Sequence, residues 1–259
     1  MTQTAKIIAD SVADNCPRIT TLQCRYNRYI HSEVMTHRVF SRNASSSRAI
    51  PIERMIEDVM NDPAIPSHWG SNQKGMQAGV EMPSCEMEWL MARDSAVKYA
   101  EMLNSIGLHK QIVNRVLEPF AHINVLITAT DWGNFFALRD HEDAQPEIRQ
   151  LAVGVKDAMD DRDPEWLTLE DWHTPYQEFT GNAVFDRKIS AARCASVSYK
   201  TVDGKPMTPR KALEIYDKLA GGDPIHASPF EHIATPCPSN DKALTRNFTG
   251  WKQYRSEVE

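Results

Sequence analysis

Long apolar runs are missing from this chain. No stretch approaches the roughly 18 to 20 apolar residues that a membrane span needs, which excludes a helical membrane protein. Residues Met1 to Ala9 lack the basic-then-apolar order of a secretory signal. Cysteine is scarce: Cys16, Cys24, Cys85, Cys194 and Cys237 are odd in number, scattered and without a C-x-x-C pair. That excludes a disulfide framework and a zinc knuckle, and it predicts reduced thiols in a cytoplasmic protein with no metal site. A basic excess is also absent. The net charge of −6 argues against a binder of polymeric nucleic acid, so any bound phosphate must be held by a few local arginines. No internal repeat or clean linker divides the chain, and a single domain over 1–259 is the default.

What is present reads as a mixed α and β protein, 41% hydrophobic and 25% charged. Residues 18–30 are rich in β-branched and aromatic types and predict a strand, with helical character from Ser32 through Val39. Residues 41–48 are dense in Ser and Asn and predict a loop. Ile52 to Met60 carries helical spacing, and 63–79 reads as a long loop. The longest helix is expected from Cys85 to about Asn104, with Ser84 as N-cap and a core face of Met87, Leu90, Met91, Val97, Tyr99, Ala100 and Leu103. A helix from Leu108 to Leu117 and a strand from His122 to Thr130 follow. Residues 134–159 predict one or two helices, interrupted near Gln145-Pro146. Residues 163–181 are irregular, 191–199 predict a short helix, and Pro209 to Leu219 an amphipathic helix ending at Gly221-Gly222.

Three groups of residues carry chemistry. Within residues 36–48, three arginines, one histidine, one asparagine and four serines converge at a helix-to-loop junction. Arginine forks and hydroxyls give charge-assisted, bidentate bonds to phosphate or an anionic ring, although composition alone equally describes a solvated loop. The second group, His226-Ala-Ser228-Pro-Phe-Glu231-His232, matches no zinc-helix spacing, and by itself is a pair of structural loop histidines. The third holds Arg115, Asn134 and Arg139, each of which alone would be an ordinary surface salt-bridge partner.

The order of these residues changes the reading. Residues 36–48 resemble the RHRxxSxNxxSxR signature (RHRx7S) of flavin-dependent thymidylate synthases, with His37, Arg38, Ser41, Asn43, Ser46 and Arg48 in register and Thr36 replacing the leading arginine. Residues 226–232 resemble that family's HxSPFEH element, and Ala191 to Tyr199 is similar to its A-R-V-S-Y stretch. Arg115 to Pro119, Asn134 to Arg139 and Ala144 to Ile148 are similar to its R-x-x-L-P, N-F-x-x-L-R and A-Q-x-E-I segments. Together these cover roughly half the chain. In the family's common order A-R-V-S-Y and HxSPFEH come first; here they occupy 191–232, after the RHRx7S-like region 33–49. A circular permutation is therefore expected, which is tolerable where old termini lie close together at the surface.

The resemblance implies an α+β fold with a central, mostly antiparallel sheet and flanking helices. It implies transfer of a one-carbon unit from 5,10-methylenetetrahydrofolate to C5 of dUMP, with FAD as cofactor and NADPH as reductant, in a homotetramer. By carry-over, His37, Arg38, Asn43, Asn134, Ser198, His226, Ser228 and Glu231 bind the flavin. Glu33, Ser46, Ser47, Arg48, Arg115 and Arg139 bind the nucleotide, and Arg139, Ser46 and Arg48 are the catalytic candidates because they would meet it. No base stands beside Ser46 in sequence, which assigns it to binding rather than attack. Family members usually have Gln at Glu33, Arg at Thr36 and Glu at Ala44. These departures open dCMP as a substrate, a hydroxymethyl product, or a non-catalytic flavin- or nucleotide-binding relative. A cysteine-dependent route through Cys237 has nothing else of that chemistry around it. The aromatic tail Asn247 to Arg255 carries no functional assignment at this level.

Overall fold

The computed structural model describes residues 3–75, 77–201, 204–239 and 241–259. Its centre is a five-stranded sheet in the order β3-β4-β2-β1-β5, built from β1 (Thr4–Ala13), β2 (Cys16–Asn27), β3 (Ser41–Ala44), β4 (His122–Ala129) and β5 (Glu165–Trp166). All neighbours are antiparallel except β1 and β5. A second sheet pairs β6 (Ala234–Pro236) with β7 (Trp251–Gln253). The helices are α1 (His31–Val34), α2 (Ile52–Asn61), α3 (Cys85–Ser105), α4 (Lys110–Leu117), α5 (Gly133–Arg139), α6 (Pro146–Asp160), α7 (Ala183–Ser196), α8 (Pro209–Ala220), α9 (Lys242–Thr245) and α10 (Arg255–Val258). Residues 228–232 form a 3-10 turn.

Strand alternation assigns the two faces of the sheet different work. Leu22, Cys24 and Tyr26 of β2 lie opposite Ile127, Val125 and Ile123 of β4. Their shared face is apolar and buries against Phe135 of α5 and Ile148, Leu151 and Val155 of α6. The other face carries Thr21 opposite Thr128 and Ser41 opposite Thr128 in the next strand, with Asn43 beside Leu126. Leu126 packs there with Tyr176, Cys194 and Val197, bringing α7 and the 228–232 turn onto this polar side. A separate cluster joins α2, α3 and α4 through Met55, Val59, Val97, Ala100, Val113 and Leu117.

Local chemistry sets several boundaries. Thr208 caps α8 by accepting from Lys211 N at 3.3 Å, with Pro209 at the first helical position. The side chain of Asn182 caps α7 by accepting from the amides of Val184 and Phe185. Ser84 stands at the N-terminus of α3 as expected, but its φ is +68° and its hydroxyl makes no capping bond.

The structure departs from the sequence reading in several places, and α7 begins at Ala183, well before the short 191–199 helix expected there. Strand β1 was not foreseen, because Asp10 and Ser11 sit at buried positions. Asp10 is satisfied there by Arg18 Nε at 2.9 Å and Thr20 Oγ1 at 2.9 Å. Helix α1 ends at Val34 rather than Val39, because Arg42 Nη1 takes the carbonyls of Met35 (2.8 Å) and His37 (3.3 Å) that a longer helix would use. Residues Ser41–Ala44 form an edge strand, not a loop, through their pairing with β4. On α3, Met87, Met91 and Tyr99 are exposed and only Val97 and Ala100 are buried. That helix is apolar on two sides, so periodicity could not choose the inner one.

Gly250 holds β7 against the start of β2. Its φ is +72°, and an added Cβ would lie 2.9 Å from Pro17 Cδ and 3.1 Å from Cys16 Cα. Gly250→Ala should therefore cost roughly 1–3 kcal/mol, read as a lower urea midpoint with an unchanged slope; an unchanged midpoint refutes this.

Candidate functional site

At the start of β3 the chain gathers one compact polar group. Arg139, the last residue of α5, sends Nε to His37 Nε2 (3.1 Å), Nη1 to Glu33 Oε2 (3.4 Å) and Nη2 to Thr36 Oγ1 (3.3 Å). Asn134, one turn earlier on α5, bonds the same imidazole. His37 is buried, stacked on Phe40 and met edge-on by Phe135. Burial, then the Arg139 and Arg42 charges, push its pKa below the usual imidazole value, with the Asn134 bond opposing. Arg139 donates to Nε2, so that nitrogen carries a lone pair and the ring proton resides on Nδ1. A cleft of about 720 Å³ opens beside Glu33 and Arg139, walled by Tyr29, Trp89, Gln145 and Glu147.

A second group lies beyond the other end of β3. Ser47 Oγ donates to Glu118 Oε1 at 2.5 Å, and Arg28 and Arg115 pair with the same carboxylate at 2.9 and 3.0 Å. Burial alone would raise the Glu118 pKa, but the Ser47 bond and the two guanidinium charges hold it below the ordinary carboxylate range. Asn114 fixes this bend by donating to the carbonyls of Ser47 and Ile50. Ser46 and Arg48 face outward from it, and Arg115 is half exposed. Among the described residues, no hydrogen bond or ion pair joins this group to Arg139 and Glu33.

The third group is the 228–232 turn on the polar face of the sheet. His232 Nδ1 bonds Thr128 Oγ1 at 2.8 Å, and Phe230 anchors the turn between Tyr216 and Tyr254. Asn43 of β3 donates to the carbonyl of Cys194 on α7 at 3.2 Å, which places Ser198 just past that helix end. His226 and Ser228 are exposed, whereas Glu231 is paired with Arg255 at 2.6 Å. Strand β3 packs Ser41 to Ala44 against the turn bearing Ser228 and Glu231, while His37 lies before its start against Arg139 and Phe135 of α5. Ser46, Ser47, Arg48 and Arg115 belong to the opposite end. Arg38 is exposed.

Residue-type reasoning missed Glu147 and Tyr29. Glu147 is buried and accepts from Ser67 N (2.6 Å), Ser67 Oγ (3.0 Å) and Gln145 Nε2 (2.9 Å), so it fixes the long 63–79 loop at the cleft. The available signal was its place in the A-Q-x-E-I-like segment. Among the described residues, no three His, Cys, Asp or Glu side chains group as metal ligands. No helix among them is long and apolar enough to cross a membrane.

Comparison with known proteins bears on this geometry. A family model described as thymidylate synthase complementing protein matches residues 18–165, from β2 to β5, a span that includes Glu33 to Arg139. The crystal structure of a UMP/dUMP methylase, PolB from Streptomyces cacaoi, bound with 5-Br dUMP, shares the fold with a TM-score of 0.50 at 14% identity. The match covers 61% of this chain and 90% of that one. No curated protein matches the sequence.

Proposed function

The chain belongs to the thymidylate synthase complementing protein family, the flavin-dependent thymidylate synthases, and from that premise we propose that it binds FAD and converts dUMP to dTMP. The one-carbon unit comes from 5,10-methylenetetrahydrofolate and the reducing equivalents from NADPH. The observation that carries the reading is the packing of two sequence-distant segments: β3, which holds Asn43 and follows His37 and Arg38 in the chain, and the 228–232 turn, whose His232 is bonded to Thr128 of the neighbouring strand. The same meeting supports a circularly permuted order of the family's segments within one domain.

The residues fit the cofactor. Arg38, His226 and Ser228 are exposed and present cationic and hydroxyl groups suited to a pyrophosphate and to ring carbonyls. Bound there, FAD supplies the redox chemistry of the reaction. The protein's own part is positioning and charge. Arg139 meets the pyrimidine, and Ser46, Arg48 and Arg115 hold the nucleotide's phosphate. His37, kept neutral, orients Arg139 through its Nε2 lone pair. The two groups at opposite ends of β3 complete one site when copies of the chain assemble, as in a homotetramer. The exposed stripe of Met87, Met91, Tyr99 and Met102 on α3 is the apolar surface for that assembly.

A second reading rests on Glu33. Its carboxylate beside Arg139 at the cleft only accepts hydrogen bonds, and the exocyclic amino group of cytosine donates them. A site that reads such an edge rejects the unmatched base by leaving a polar group unpaired. Purified protein incubated with dUMP or dCMP, methylenetetrahydrofolate and NADPH, followed by mass spectrometry, decides between them. The expected product is thymidylate from dUMP; a modified cytosine nucleotide or a hydroxymethyl product establishes the second reading. Flavin that NADPH cannot bleach without oxygen identifies a non-catalytic relative. A colourless protein that takes up no added FAD overturns the assignment.

A further inference from the structure

The aromatic tail is fastened to both motif segments. Asn247 Nδ2 donates to the Val39 carbonyl at 2.8 Å and to Ser41 Oγ at 3.2 Å, at the entrance to β3. Gln253 Nε2 donates to Asn247 Oδ1 at 2.7 Å, and Tyr254 N donates to the Ile233 carbonyl at 2.8 Å, directly behind the 228–232 turn. Phe248 and Trp251 are fully buried. The tail ends on Arg255, whose Nη1 meets Glu231 Oε1 at 2.6 Å, while its Nε and Nη2 both donate to Glu259 Oε1 at 2.9 and 2.6 Å. Glu259 thus holds the guanidinium aimed at Glu231 from behind.

Within the flavin reading above, we propose that Arg255 is a positioning residue for the cofactor: it fixes the Glu231 carboxylate and offsets its charge. Two consequences follow from the geometry. A carboxylate held by one strong, charge-assisted bond keeps a single rotamer, and its second oxygen remains free to accept from a ligand N–H or hydroxyl. A lone carboxylate beside a ring that gains electrons also disfavours their arrival, whereas here Glu231 and Glu259 are balanced by Arg255 and Arg246, so the cluster carries no net charge. Arg255 therefore acts on cofactor affinity through geometry, and on cofactor potential through charge. Only the second is beyond the reach of a residue that merely glues the tail.

The test uses full-length protein loaded with FAD, comparing wild type with Arg255→Gln, Arg255→Lys and the double variant Glu231→Gln/Arg255→Gln. In Arg255→Gln the flavin should bind about tenfold more weakly. Its reduction equilibrium should move about tenfold against the reduced form, a shift of about 30 mV for a two-electron couple. Arg255→Lys, which keeps the charge and guards against a variant that fails to fold, should recover most of the potential. The double variant should return the potential towards wild type while affinity stays low. A potential unchanged in folded, flavin-loaded Arg255→Gln overturns the proposal and leaves Arg255 as tail packing. A wild-type protein that binds no FAD overturns the flavin reading itself, a separate result.

Discussion

Arg139→Met should lower kcat/KM by about a hundred- to a thousandfold while the protein stays folded. The expectation rests on how much one guanidinium holds. It spends three of its five N–H donors on His37, Glu33 and Thr36 and lies at the mouth of the cleft with the rest. Removing it leaves Glu33 unpaired at the cleft and frees the His37 ring. Lysine should recover little of the activity, because a point charge cannot serve three acceptors in a plane. The fold should survive, since Arg139 ends a short surface helix and Phe135 of the same helix remains in the core. The pH profile gives an independent check. One of the causes that depress His37 would be gone, so its pKa should rise towards the ordinary imidazole value. Steady-state kinetics and an NMR titration of His37 measure both effects. Activity within threefold of wild type would remove Arg139 from the site.

Much of this arrangement was legible in the sequence, and the illegible parts share a physical cause. Strands β2 and β4 and helices α2, α4, α6 and α8 declare themselves because each buries one apolar face against the core. Elements whose inward side chains are polar do not declare themselves. Strand β1 hides behind Asp10 and Ser11, and β3 behind Ser41 and Asn43, since hydrogen bonds to distant partners replace apolar contact there. The candidate site divides in the same way. Fixed spacing from His37 to Arg48 carried the resemblance. The partner of each side chain, such as Glu33 for Arg139 or Arg255 for Glu231, exists only once the chain has folded. The tail is the extreme case, with residues of no recognisable motif closing both segments.

The polar face of the sheet should make the protein acid-labile over a defined range. A continuous chain of side chains crosses it: Ser11 to His173 (2.9 Å), His173 to Thr21 (2.8 Å), Thr21 to Thr128 (2.7 Å) and Thr128 to His232 (2.8 Å). Both imidazoles are fully buried, and burial pushes each pKa down to about 3; the neighbouring His173 charge further lowers that of His232. His232 Nε2 has no hydrogen-bond partner among the described residues, so a proton placed there would meet no acceptor. In the unfolded chain both rings titrate near 6.5. Above that pH the two states bind equal numbers of protons at these sites and stability is flat. As pH falls below it, the unfolded state takes up protons that the folded state refuses. The folding constant then drops about tenfold per pH unit for each ring, or about a hundredfold for the pair, until the folded pKa values are reached. His122, depressed to about 4 by burial and then by Arg25, steepens the upper part of this range. His173→Gln and His232→Gln should each be less stable than wild type at pH 7.5, yet lose less between pH 6 and 4.5, because glutamine keeps a bond to threonine and does not titrate. Urea unfolding at a series of pH values gives the slopes. Parallel slopes in wild type and variants would show that the buried pair does not set the acid limit.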